Sequence, residues 1–137
     1  MDLRPRPFVA LALVLIHVVI STIHGWAHQG AMVTLTTFGY IYVAVVITLA
    51  PLVAVALLFT RQKRIGALLF ALSMLGSFLF GFWYHFLSDT SDNVAHVGGP
   101  WHSVLLWTAI TLAVIELAAT LVGFRLFQTA SKSRTNA

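Results

Sequence analysis

Apolar residues in this chain come in four long runs divided by short polar breaks. The first run extends from about Phe8 to Trp26, just after Arg4-Pro5-Arg6-Pro7. The second covers about Thr36 to Phe59, the third Ile65 to Leu87 and the fourth Trp101 to Phe124. A bilayer core about 30 Å thick needs about 20 apolar residues per helix, so each run predicts a transmembrane helix. The breaks are a short turn at Gln29-Gly30, a charged hairpin at Arg61-Gln62-Lys63-Arg64 and a polar loop over 88–100. Pro51 falls inside the second run and predicts a kink, because it removes a backbone donor and crowds the preceding turn. The segment 125–137 reads as a flexible, solvated tail. The expected fold is all-α: an integral membrane four-helix bundle forming a single transmembrane domain over 1–137, with nothing left over for a soluble domain.

Composition agrees with the pattern. The chain is 59% hydrophobic and 9% charged, with a mean hydropathy of +0.91. A typical soluble domain is about 25% charged, so this chain cannot cover itself with polar surface and needs lipid as part of its solvent. The pI near 10.1 would suggest nucleic acid only if the basic residues formed a patch. Instead the Lys and Arg residues fall in three places: Arg4 and Arg6; Arg61, Lys63 and Arg64; Arg125, Lys132 and Arg134. With four spans, all three lie on one side of the membrane. Positive residues mark the cytoplasmic side, so the expected location is the cell membrane, multi-pass, with both termini cytoplasmic. Nucleic acid is excluded as a partner. The opposite side holds Asp89 and Asp92, and Trp26, Tyr40, Tyr42, Trp83, Tyr84 and Trp101 would form its interfacial belt. The absence of cysteine removes disulfides, thiolate metal sites and iron–sulfur clusters. A second reading of the first run is a signal peptide cleaved near Gly25-Trp26-Ala27, which would make His28 the N-terminus. The run is long for that purpose, and His17 interrupts it.

The histidines carry the candidate chemistry. His17, His24 and His28 lie within about 40° of arc on the first helix, at 100° per residue. His85 closes the third run, His96 sits in the loop and His102 opens the fourth run. All but His17 therefore gather at the outer end, with Asp89 and Asp92 in the same layer. On the third helix Ser73, Ser77, Gly81 and His85 recur every four residues, a small-residue spacing that lets helices approach closely in lipid. On the fourth, His102, Ala109, Ala113, Glu116 and Thr120 share one stripe, so the faces bearing His85 and His102 should pack inward. Imidazole with carboxylate is a ligand set for zinc, copper or non-haem iron. The expected metal ligands are His24, His28, His85 and His102, with His96 or Asp92 as a further ligand or supporting partner. Asp89 and Asp92 are the candidate general bases. Asp92 also admits a structural reading, as the cap of a short turn before Gly98-Gly99-Pro100.

His17 and Glu116 stand apart, about 16 Å below His28 and about 21 Å below His102 by helical rise. At that depth an unpaired charge costs several kcal/mol, so the two are expected to pair, either to fix helix register or to relay protons. Four function classes follow. The first is a metal-dependent membrane enzyme with its site at the extracytoplasmic face. The second is a metal-ion or proton transporter or channel, which with four short helices implies a homo-oligomer. The third is a haem carrier, disfavoured because the outer half offers no Lys or Arg for the propionates. The fourth is an accessory subunit of a larger membrane complex. Beyond the lipid bilayer itself, the sequence names no partner.

Overall fold

The computed structural model describes residues 7–135, with side chains described as far as Lys132. Arg4, Arg6 and the side chain of Arg134 lie outside that description. The fold is all-helical, with no strand among the described residues. Four helices are long and apolar enough to cross a membrane: α1, Pro7–Gly30; α2, Thr37–Leu58; α3, Lys63–Leu87; and α4, which opens at His102 and continues to Thr135. Large apolar side chains cover the outside. Phe8, Leu15, Val19, Trp107, Val114 and Leu121 are each more than half exposed. Such a surface is stable only against hydrocarbon or another apolar partner, as helices able to cross a membrane require.

Small residues bring the helices together. A Cβ on Gly66 would lie 2.8 Å from the Ala54 carbonyl oxygen, and one on Gly123 would lie 2.8 Å from the backbone of Ala71. These two glycines thus let α3 meet α2 and α4 almost backbone to backbone. α1 packs on α4 and on the Ala50–Leu58 half of α2, while α3 packs on α2 and α4. Ala10, Val14, Leu58, Ala67, Phe70, Met74 and Leu126 form one core cluster. That cluster joins the start of α1, the end of α2, the start of α3 and the end of α4, so the described basic residues share one end of the bundle. A smaller cluster of Ala27, Val33, Val97 and Leu105 closes the opposite, histidine-bearing end. There the indole of Trp101 lies against Gly30, where any Cβ would overlap the ring.

Two helices depart from α geometry toward the histidine end. In α2, residues Val43–Leu49 form a π-helical segment, and the Ala50 amide donates to the Val45 carbonyl. This is how the chain accommodates Pro51: widening the preceding turn moves carbonyls away from a ring that cannot donate to them. In α3 the last turns, Trp83–Leu87, are also π-helical, and Ser88 N–H donates to Trp83 O at 2.8 Å. His85 lies eight residues beyond Ser77, about 80° further round an uninterrupted α-helix. The extra residue of a π turn sets the register back by about 100°, which returns His85 to the inward face.

α4 continues well past Phe124, where the apolar run ends. Leu126 is in the core, Arg64 stacks its guanidinium 5.1 Å from the centre of the Phe127 ring, and Thr129 Oγ1 donates to Arg125 O. The segment expected to be a flexible tail from residue 125 is therefore helical through Thr135, because its first turn still has apolar surface to bury.

Candidate metal centre

Histidine spacing on α1 sets the first half of the site. His24 and His28 are one turn apart and share a face, and the π turn of α3 brings His85 to meet them. His24 Nε2 lies 3.0 Å from His85 Nε2 and 3.1 Å from His28 Nε2. Ligand atoms of all three lie within 4.8 Å of one another, so this group could hold a metal ion. His24 and His85 are buried and His28 is partly so.

The outward nitrogens of two of the rings are tied down. Thr108 Oγ1 spends its single proton on backbone carbonyls of its own helix, Val104 O at 2.6 Å and Leu105 O at 3.1 Å. It accepts from His24 Nδ1, 2.8 Å away, in the tautomer that carries the His24 proton on Nδ1, the one a metal at Nε2 requires. His85 Nδ1 donates to the carbonyl oxygen of Asp92 at 3.0 Å. In that tautomer the two Nε2 atoms face each other as lone pairs at 3.0 Å. Two lone pairs at that distance repel unless a cation lies among them. Four-coordinate zinc, with Zn–N of about 2.0–2.1 Å, holds its nitrogens about 3.3 Å apart. The observed separations are slightly inside that value.

Asp92 is delivered by the loop between α3 and α4. Asn93 Nδ2 donates to Ser88 O at 2.8 Å, Val94 N–H to His85 O at 3.0 Å, and Gly99 takes φ +78° to turn the chain back. The expected turn-capping role belongs to the neighbour: Asn93 Oδ1 accepts from Ala95 N–H at 3.0 Å. Asp92 itself points inward, 4% exposed, with Oδ1 3.3 Å from His28 Nε2 and 3.2 Å from His85 Nδ1. Neither contact has the alignment of a hydrogen bond, and Asp92 Oδ1 and His28 Nδ1 are both buried without a hydrogen-bond partner. A carboxylate oxygen left unsatisfied beside two imidazoles is costly, and a cation would relieve it.

The remaining candidates lie elsewhere. His96 is exposed; its Nδ1 donates to Thr90 O at 2.9 Å and its Nε2 lies 3.5 Å from Asp89, which is almost fully exposed. This pair sits on the loop surface, so the structure does not bring His96 or Asp89 to the group. His102 donates from Nδ1 to Val97 O at 2.8 Å, a contact that secures the start of α4, and it too is outside the group. Proximity at one end of the bundle is shared by all of them, but the loop folds back over α3 and directs Asp92, not His96, inward. Thr108 went unrecognised in the sequence because its role depends on which residue of α4 lies across from His24, a matter of interhelical register that spacing does not reveal.

A part-open cavity of about 230 Å³ adjoins the group. His24, His28, His85 and Asp92 line its head; Val43, Ile47, Phe80 and Leu112 line its flanks, and Ser21, Ser77 and Glu116 face it further in. Glu116 Oε1 is 3.0 Å from His17 Nε2, with both residues buried. The Gly81 position faces this space: the nearest atom to a Cβ there is on His85, 3.9 Å away. Ser73 and Ser77 donate to carbonyls of their own helix. The small-residue stripe on α3 thus lines the cavity toward its histidine end, and the closest helix approaches are made at Gly66 and Gly123. Comparison with known protein families, curated proteins and solved structures yields no match.

Proposed function

We propose that this chain is a multi-pass protein of the cell membrane, with cytoplasmic termini, that acts as a metal-dependent enzyme at its extracytoplasmic face. The orientation rests on the concentration of Lys and Arg at one end. The metal reading rests on one observation above the others: two imidazole Nε2 atoms face each other at 3.0 Å while their other nitrogens are committed to Thr108 and to the Asp92 carbonyl. His28 Nε2 completes a three-nitrogen set, the number that catalytic zinc sites use while keeping one position open. A divalent metal held there would polarise a carbonyl and make a coordinated water more acidic. Asp92 Oδ1, adjacent to His28 Nε2 and bordering the cavity, is placed to accept the proton of such a water. His24, His28 and His85 hold and orient, and the apolar flanks restrict the access of bulk water.

Elemental analysis of the detergent-purified chain tests this directly. The expected result is about one zinc, copper or iron per chain, lost in His24→Ala and His85→Ala and retained in His96→Ala and His102→Ala. Metal-free protein after purification and metal supplementation, or equal retention in all four variants, would refute it. A second reading is favoured by the cavity reaching Glu116 and its partner His17: transport of a metal ion or protons inward from the histidine group. Flux into proteoliposomes that vanishes in Glu116→Gln would replace the enzymatic reading with this one.

A further inference from the structure

The position of the cavity in the bundle says what kind of molecule it takes. α1 packs against Ala50–Leu58 but scarcely against Thr37–Leu49, of which Val43–Leu49 packs instead on α3. The cavity occupies the resulting gap: Ser21, Gly25 and His28 face it from α1, Tyr40, Val43 and Ile47 from α2. These two helices are neighbours on the perimeter, so the gap opens sideways, at a level where the surrounding side chains are apolar and exposed. Tyr40 at its edge is 58% exposed. A ligand can therefore enter from the lipid phase without crossing water.

Size and polarity narrow the class. At about 230 Å³ the space is below the roughly 300–1,000 Å³ of sites for drug-sized ligands, so it takes one aliphatic chain and not two. From His28 to Ser21, or from Ala109 to Glu116, the lining extends about 10 Å by helical rise. At roughly 1.2 Å per bond, the extension of a peptide chain divided among its bonds, this accommodates about eight carbons. Beyond that depth the walls turn polar: Ser21 Oγ is buried with no partner, and Glu116 is there with His17.

Resting on the metal-enzyme reading above, we propose that the cavity binds a single-chain acyl ester or amide drawn from the membrane, with its carbonyl at the His24–His28–His85 group and its chain between α1 and α2, and that the reaction is hydrolysis. Water contributes hydroxyl to the carbonyl carbon, the acyl C–O or C–N bond breaks, and the water's other proton passes by way of Asp92 to the departing alcohol or amine. The products are a carboxylic acid and that alcohol or amine, and no further reactant is consumed.

The test uses the full chain in phosphatidylcholine nanodiscs, with its metal content measured in every preparation. Alkyl hydroxamates, which pair a metal-binding head with a chain of chosen length, are titrated calorimetrically from acetohydroxamate to hexadecanohydroxamate. Expressed against the free aqueous hydroxamate concentration, affinity is expected to rise about three- to fourfold per methylene and to level off near eight to ten carbons. Gly25→Phe, at a position with open space around its Cβ, and Ala113→Phe, filling the same space from α4, are expected to abolish that rise while retaining metal and acetohydroxamate binding. Octanoyl anilide should be hydrolysed faster than acetanilide by the native chain, and that preference should disappear in both variants. A chain-length series that is flat, or equally steep in both filled variants, with metal fully bound, overturns the substrate assignment and leaves the metal centre standing. Absence of metal from the native chain removes both.

Discussion

Thr108 offers the sharpest test of the histidine geometry, because it touches no metal and no substrate. Its hydroxyl donates within α4 and accepts from His24 Nδ1 at 2.8 Å. Thr108→Val keeps the shape and removes the acceptor. In the metal-free protein the substituted site can adapt: His24 shifts its proton to Nε2 and donates it to His85 Nε2, 3.0 Å away. With metal bound that escape is closed, since Nε2 must carry a lone pair, and the Nδ1–H is left buried with no acceptor. An unmade buried hydrogen bond costs about 1–3 kcal/mol, and because it falls on the loaded state alone it weakens binding by about 5- to 150-fold. Loss of an outer partner of a metal-bound histidine typically costs about 10- to 100-fold, the same range. The assay is a competition titration of the purified chain with a chelator of known zinc affinity, for the native, Thr108→Val and Thr108→Ser forms. Thr108→Ser should bind within a few-fold of native, because it restores the acceptor. An unchanged affinity in Thr108→Val, or an equal loss in both variants, would refute the proton assignment and with it the argument that the two Nε2 atoms require a cation.

Three further outcomes are expected. Glu116→Leu leaves His17 buried without its 3.0 Å partner and should destabilise the chain by about 3–5 kcal/mol, seen as a marked fall in detergent thermal unfolding temperature; the double variant His17→Leu/Glu116→Leu should recover much of it. Gly123→Leu, whose Cβ would press on the Ala71 backbone, should fail to give a monodisperse protein, whereas Gly25→Leu, with open space at its Cβ, should purify as native; equal behaviour of the two on size exclusion would contradict the packing described. Since the chain has no cysteine, Gln62→Cys and Asp89→Cys report topology cleanly: a membrane-impermeant maleimide added outside intact cells should label position 89 and spare position 62, and the reverse pattern would invert the proposed orientation.

The four helices were legible because lipid demands long, uninterrupted apolar runs, and charge clusters such as Arg61 to Arg64 cannot be hidden within them. The end of α4 was not, because Leu126 and Phe127 are too few to register as a run yet enough to hold a turn against α3. Of the site, the pairing of His24 with His28 on one face follows from their spacing alone. His85 is different. Its direction is set by a π turn, and nothing in Trp83-Tyr84-His85-Phe86-Leu87 announces one. The loop was the least legible part: Asp92 and Asn93 are adjacent and chemically similar, and only the folded path shows that Asn93 caps while Asp92 turns inward. His102 looked equal to His85 because both lie at helix ends, but its ring is used by Val97 O.

α1 and α3 stand on a diagonal of the bundle, each in contact with α2 and α4 but scarcely with the other. The imidazoles that converge come from this diagonal pair. An ion held among them would act as a brace at the histidine-bearing end, joining two helices that otherwise share the core cluster at the opposite end. Occupancy and rigidity would then be one property: by mass action a ligand at a hundred times its dissociation constant adds about 2.7 kcal/mol, applied across the bundle's diagonal.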